Sequence, residues 1–195
     1  LMSVDLHAAQ TQGFFDGPVD HLWAMPILTE YVRSRVDMSN LAVVSPDAGR
    51  IRVAEKWAAK LGDCPLAFVH KTRDVTQPNK AVANRVVGEV EGRDCVLVDD
   101  LIDTGGTIAE AVRVLLREGA RGVIVAATHG VLSDPAPKRL EECGAREVVI
   151  TDTLPISTEK RFGRLTVLSI APLIARAIRE VFDDGSVTSL FDGNS

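Results

Sequence analysis

Cys95-Val-Leu-Val-Asp-Asp-Leu-Ile-Asp-Thr-Gly-Gly-Thr107 is the stretch that decides how the rest of the 195-residue chain is read. Its first four residues are apolar with a β-branched bias, the pattern of a strand buried on both faces, and the strand is expected to end at Val98. Two carboxylates follow at once, and Asp103-Thr-Gly-Gly-Thr107 then opens a helix. Gly105 and Gly106 are expected to let the backbone turn, so that successive N–H groups converge where the helix N-terminus adds partial positive charge. A turn of that kind cradles a phosphate without needing lysine. Asp99 and Asp100, as paired acceptors, suit the hydroxyls of a sugar. A plain strand-to-helix turn with acidic caps is the simpler alternative. Two adjacent acids and a third before Thr-Gly-Gly-Thr exceed what capping requires.

Outward from this stretch, β-branched apolar runs alternate with helical patterns along the whole chain. The strands expected are 41–44, 66–70, 95–98, 122–128, 147–151 and 165–169; the helices expected are 26–34, 50–61, 107–118, 135–143 and 171–182. Gly62, Gly119 and Gly144 each fall just past a helical stretch, where a left-handed cap favours glycine. Such alternation predicts an α/β fold, a three-layer parallel sheet with helices on both faces, whose ligands bind at the carboxyl ends of the strands. Residues 74–83 form the one long polar stretch between elements, and Pro78-Asn79 argues for a mobile loop there rather than a helix.

Composition narrows the function classes. The chain is 46% hydrophobic and 25% charged, which excludes disorder and fibrous classes. Its net charge of −5 excludes a general nucleic-acid coat. Yet residues 50–85 carry eight Lys/Arg against three acids, a basic island in an acidic protein. Cys64, Cys95 and Cys143 form no C-x-x-C pair or metal spacing, and reduced thiols in a cytoplasmic protein fit best. No apolar run approaches the ~18 residues of a membrane span, so no membrane partner is expected. The opening Leu1-Met-Ser-Val-Asp-Leu6 reads as the interior of a strand, and the first residue is not expected to be the natural beginning.

Three further loops stand at strand ends. His7 alone reads more readily as a core histidine with a satisfied ring nitrogen than as a ligand. Ser45-Pro-Asp-Ala-Gly49 reads as a turn or as an anion-facing loop, and Lys71 and Arg73 as a solvated loop or as paired cations. Taken together with the stretch at 99–107, these residues resemble one family. Val4-Asp-Leu-His-Ala-Ala-Gln-Thr-Gln-Gly-Phe-Phe15, Val44-Ser-Pro-Asp-Ala-Gly49, Val69-His-Lys-Thr-Arg73, Ala127-Thr-His-Gly130 and Gly185-Ser-Val-Thr-Ser-Leu-Phe191 match segments of the ribose-phosphate pyrophosphokinases. These are members of the type I phosphoribosyltransferase fold. The chain resembles roughly the C-terminal three-fifths of a typical member, which accounts for its opening.

The resemblance implies transfer of a pyrophosphoryl group from ATP to ribose 5-phosphate, with Mg²⁺, in nucleotide biosynthesis. It implies that Asp99, Asp100, Asp103, Thr104, Gly105, Gly106 and Thr107 bind ribose 5-phosphate. Ser45, Asp47, Gly49 and Arg50 would form the pyrophosphate loop, His7 and Asp47 would hold the metal, and Lys71 and Arg73 would be catalytic. Gln12, Asp20, Ser186, Thr188 and Phe191 would contribute to a regulatory phosphate site, unless the tail is a simple hydrophobic dock. Residues 1–24 would be a remnant of an N-terminal domain, 25–182 the ribose-5-phosphate-binding domain and 183–195 a tail, in a homo-oligomer that is hexameric in full-length members. Two departures stand out: Arg50 replaces a commoner glycine and Thr72 a commoner arginine. His129 is expected to be structural. Two other readings remain, a phosphoribosyltransferase consuming phosphoribosyl pyrophosphate and a module that binds ribose 5-phosphate without turnover. A hood for a base is missing from the sequence, which disfavours the first, and the intact loops disfavour the second.

Overall fold

A computed structural model describes residues 1–72 and 83–191. In chain order the elements are β1 (Met2–Val4), β2 (Asp20–Leu22), α1 (Met25–Arg33), β3 (Leu41–Ser45), α2 (Ile51–Lys60), β4 (Leu66–Thr72), β5 (Ala83–Val87) and β6 (Asp94–Ile102). There follow α3 (Gly106–Arg117), β7 (Gly122–Gly130), α4 (Ala136–Glu142), β8 (Glu147–Thr151), β9 (Leu165–Leu168) and α5 (Ala171–Phe182). The expected strands and helices are present. Seven strands form one sheet in the order β5-β4-β3-β6-β7-β8-β9, and β1 and β2 form a separate parallel pair.

Side-chain alternation along the central strands builds two cores, one on each face. Ala42, Val44, Cys95, Leu97, Val123 and Val125 point to the face covered by α3 and α4. Leu41, Val43, Val96, Val98, Ile124 and Ala126 point to the face covered by α1, α2 and α5. Both faces of β3, β6 and β7 are therefore buried, which is why these strands read as continuous apolar runs rather than alternating ones. Gly62, Gly119 and Gly144 have φ of +99°, +87° and +93°, the left-handed caps expected of them. Cys64, Cys95 and Cys143 are free thiols, and burial pushes Cys95 up to about 12. Among the described residues no helix is long and apolar enough to cross a membrane.

Three expectations need correction. The sheet is not wholly parallel: β5 pairs antiparallel with β4, from Phe68↔Val87 to Thr72↔Ala83. Its Ala-Asn-Arg-Val-Val sequence gives no strong strand signal, because an edge strand needs only one paired side. β6 does not end at Val98 but continues through Asp99 and Asp100 to Ile102. The backbone pairing Asp99↔Ala127, Leu101↔His129 and Ile102↔Gly130 with β7 overrides the low strand propensity of aspartate. On its other side β6 pairs with β3 only as far as Val44↔Leu97. The last part of β6 thus has a free edge toward β3. Finally, of the two glycines after it, only Gly105 has a positive φ, +68°; Gly106 is the first residue of α3 and needs no such freedom. Of the expected mobile loop, residues 74–83, Ala83 begins β5 and the rest lies outside the described residues.

The chain turns to opposite sides after β3 and β6, with β4 on one flank and β7 on the other. At such a switch point the loops diverge and leave a crevice at the carboxyl ends of the strands.

Candidate active site

The crevice is a cavity of about 240 Å³ lined by His7, Asp47, Arg50, Asp99, Asp100 and the whole run from Leu101 to Ile108. On one wall, Asp103, Thr104 and Gly105 turn the chain from β6 into α3. The left-handed Gly105 is the N-cap, and no side chain caps the helix. The first amides of a helix have no acceptor within it, so this end offers N–H groups and partial positive charge to an anion. A Cβ at Gly105 would stand 3.3 Å from Leu140 Cγ, so side chains from α4 pack directly under the turn. Arg139 of α4 donates to the Thr104 carbonyl oxygen at 3.1 Å and fixes it from outside.

Asp99 and Asp100 line the same cavity. Burial, and then Asp100 beside it, push the Asp99 carboxyl up to about 7, against the pull of the Asp100 amide and of Arg50. The Asp100 amide donates to Asp99 Oδ1 at 2.9 Å. Arg50 reaches across from the start of α2: one terminal nitrogen lies 2.8 Å from Asp100 Oδ2, and its Nε is 3.9 Å from Asp99 Oδ1. The same terminal nitrogen is 2.6 Å from His7 Nδ1, which is itself 2.8 Å from Asp100 Oδ2. Nδ1 accepts from Arg50 in one tautomer or donates to Asp100 in the other, never both. His7 is 69% exposed and Asp100 12%, so the imidazole is the open face of this cluster and the carboxylate its floor.

A residue missed in the sequence holds His7 there. Asp5, at φ +41°, accepts from the Thr128 hydroxyl at 2.6 Å and from the Ala24 amide at 3.0 Å. Burial raises its carboxyl despite those two donors. Its carbonyl oxygen meets His129 Nε2 at 3.0 Å, while His129 Nδ1 meets Thr153 Oγ1 at 2.8 Å. His129 is structural, as expected: it fastens the segment after β1 to the end of β7, two residues from His7. His21 completes the anchor, accepting from the Leu6 amide at 2.9 Å. The only signal in the sequence was an acid set between Val4 and Leu6.

The remaining expected site residues are less closely gathered. Ser45 is fully buried and donates to the Asp47 carbonyl oxygen at 2.7 Å, and Gly49 donates to the Asp47 carboxylate at 2.9 Å. Both shape the loop after β3 from within and stand outside the cavity wall, where Asp47 and Arg50 stand. Lys71 lies in β4 opposite Asn84; Arg73 lies outside the described residues. Gln12, Asp20, Thr188 and Phe191 share a second cavity of about 190 Å³, and Ser186 bonds Thr188 at 2.7 Å. Phe191 is also buried in the core with Val187 and Leu190 packed nearby. No group of three or more His, Cys, Asp or Glu side chains stands ready for a metal among the described residues. His7 and Asp47, the pair expected to hold a metal, both line the crevice; of the two, the Asp47 carboxylate is the donor type Mg²⁺ prefers, and that ion takes few protein ligands and keeps waters or phosphate oxygens for the rest.

Residues 63–192 match the family described as the phosphoribosyl synthetase-associated domain. The chain is 72% identical over 194 residues to a ribose-phosphate pyrophosphokinase of Bifidobacterium longum, covering 98% of this chain and 57% of that protein. It superposes on the crystal structure of phosphoribosylpyrophosphate synthetase from Mycobacterium smegmatis with a TM-score of 0.86 and 62% identity, covering 94% of this chain and 59% of that one. The chain therefore spans about three-fifths of the length of these relatives. An orotate phosphoribosyltransferase from Aeropyrum pernix, at 19% identity and a TM-score of 0.50, shares the fold. With that match over two-thirds of its residues, and with an uncapped helix start and an aspartate pair lining one crevice at the switch point of a type I phosphoribosyltransferase sheet, the chain belongs to the phosphoribosyl synthetase-associated domain family.

Proposed function

We propose that the chain is the ribose-5-phosphate-binding part of a ribose-phosphate diphosphokinase, which converts ATP and ribose 5-phosphate to AMP and 5-phosphoribosyl 1-pyrophosphate for nucleotide biosynthesis. One observation carries this reading: an uncapped helix start and a pair of carboxylates line one and the same cavity. Anion-binding amides and hydroxyl acceptors in one cavity suit a ligand that carries both a phosphate and vicinal hydroxyls. Thr104, Gly105, Gly106 and Thr107 take the 5-phosphate, with Asp103 at the mouth of the turn. Asp99 and Asp100 accept from the ribose hydroxyls, Asp99 being able to keep its own proton near neutral pH and to donate instead.

The ribose 1-hydroxyl attacks the β-phosphorus of ATP in line, and AMP leaves. Positioning and charge neutralisation carry such a transfer, with little covalent work for the protein. Ser45, Asp47, Gly49 and Arg50 form the loop that faces the pyrophosphoryl group. Mg²⁺ beside His7 and Asp47 would supply Lewis-acid neutralisation of the polyphosphate. Lys71 and Arg73 stabilise the charge that develops in the transition state. Gln12, Asp20, Ser186, Thr188 and Phe191 form a phosphate-responsive site in a cytoplasmic homo-oligomer. Residues 1–24 belong to a preceding domain, 25–182 hold the sugar phosphate and 183–195 form a tail.

The test is AMP release from ATP by this chain and by a full-length form of the protein. AMP should form only with ribose 5-phosphate and Mg²⁺ together. Lys71→Ala should lower turnover about 10²- to 10³-fold while ribose 5-phosphate binding persists. AMP release independent of ribose 5-phosphate, or full activity in Lys71→Ala, would refute the assignment.

A further inference from the structure

The cradle for the 5-phosphate depends on which way one peptide faces. Gly105 has φ +68° and ψ +2°, the values of the second central residue of a type II turn. A type I turn carries the chain along nearly the same path with that φ negative, and the two differ chiefly in the direction of the preceding peptide. Here that peptide is Thr104–Gly105, and glycine adopts either sign of φ about as readily. Reversing the peptide would exchange the sides of the Thr104 carbonyl and the Gly105 N–H. A contact from outside the turn is needed to select one of the two.

We infer that Arg139 makes this selection and is a positioning residue for the phosphate cradle. Its terminal nitrogen donates to the Thr104 carbonyl oxygen at 3.1 Å. Arg139 stands on α4, whose Ala136 and Leu140 pack against Gly105, and it is not among the residues that line the crevice. In a planar trans peptide the C=O and N–H point in opposite directions. A carbonyl held toward α4 therefore turns the Gly105 N–H away from α4, toward the crevice that Thr104, Gly105 and Gly106 line. Among the described residues that N–H meets no acceptor, so it is available to a ligand. The guanidinium is charged, which strengthens its bond to the carbonyl and polarises the peptide, making the N–H a better donor in turn. The inference rests on the reading of the turn at 104–107 as the phosphate site.

Isothermal titration of the chain with ribose 5-phosphate, paired with NMR of the Gly105 amide in the same titration, separates the two. Arg139→Met should weaken ribose 5-phosphate binding about tenfold, the scale of one hydrogen bond to a charged group. Its Gly105 amide resonance should move far less at saturating ligand than that of the unaltered chain. Arg139→Lys, which keeps a charged donor on a long stem, should recover most of the affinity and of the movement. Lys138→Met removes an equal charge from the preceding exposed position of α4 and should change the affinity by no more than about twofold. Arg139 is itself exposed, so the urea midpoint of each variant should match that of the unaltered chain. Unchanged affinity in Arg139→Met overturns the positioning role and leaves the phosphate site standing. So does an equal loss in Lys138→Met, as an effect of net charge alone, or a Gly105 resonance that moves as far in Arg139→Met as in the unaltered chain. No binding of ribose 5-phosphate by the unaltered chain overturns the site and the inference together.

Discussion

At the amino end of the nine-residue β6, Asp94 lies between Arg121 and Arg146; toward the carboxyl end, five and six residues later, Asp99 and Asp100 face Arg50 among the described residues. Asp94 is buried, and both arginines lie on it: Arg121 Nε donates to its Oδ1 at 3.1 Å and an Arg146 terminal nitrogen is 2.9 Å from the same oxygen. Arg121 and Arg146 hold its carboxyl below the usual range, outweighing burial. Asp99 is driven the other way, because burial and a second carboxylate outweigh one guanidinium. One end has more positive than negative charge and is closed; the other has a deficit and opens onto a cavity. An excess of partners marks a structural pair, and a deficit marks a place kept for ligand hydroxyls and phosphate.

Substitutions at the two ends should therefore separate stability from binding. The largest effect is expected for Asp99→Asn, which should weaken ribose 5-phosphate binding about 100-fold by removing a charged acceptor, while leaving stability unchanged or raised. Equal losses of binding and stability would erase the contrast. Next, Asp94→Asn should cost about 2 kcal/mol in urea denaturation and leave ribose 5-phosphate affinity within twofold. Gly105→Ala should cost about 1 kcal/mol, because φ of +68° is strained for any residue with a Cβ, and should weaken phosphate binding as well. Gly106→Ala, at a helical φ with its nearest contact the tip of Arg139 at 3.6 Å, should stay within about 0.5 kcal/mol.

The pH dependence of melting should show the same opposition in sign. Asp94 titrates below its unfolded value, so its stabilisation is complete above about pH 4 and fades as pH falls through the folded value. Asp99 titrates above its unfolded value of 3.8, at about 7, so the folded state holds the extra proton between them. Its contribution is complete below 3.8 and is lost as pH rises toward 7. The melting temperature of Asp99→Asn relative to the unaltered chain should accordingly climb across that interval, and that of Asp94→Asn should not. Parallel curves would show the two ends to be alike.

How far the sequence could be read follows the same physics. Strands buried on both faces announce themselves as apolar runs, and the glycines that cap α2, α3 and α4 announce their ends, so the sheet and its helices were legible. The turn at 103–107 was legible because its chemistry is local. What was not legible depends on partners far along the chain. β5 is specified by its pairing with β4 and not by its own residues. The strand character of Asp99 and Asp100 comes from the length of β7. Asp5 owes its place to Thr128 and Ala24, and the reach of Arg50 to His7 and Asp100 spans 43 and 50 positions. A carboxylate between two apolar residues was the one visible hint of the first. Nothing local hinted at the second beyond the replacement of a glycine.

The central claim is that the carboxyl end of β6 and the start of α3 form one site for a sugar phosphate. Isothermal titration of the chain with ribose 5-phosphate, and separately with ribose, tests it most directly. The account predicts one binding site for ribose 5-phosphate and a far weaker response to ribose, since the turn at 104–107 supplies the phosphate contacts. No binding of ribose 5-phosphate, or equal binding of the two sugars, would contradict it.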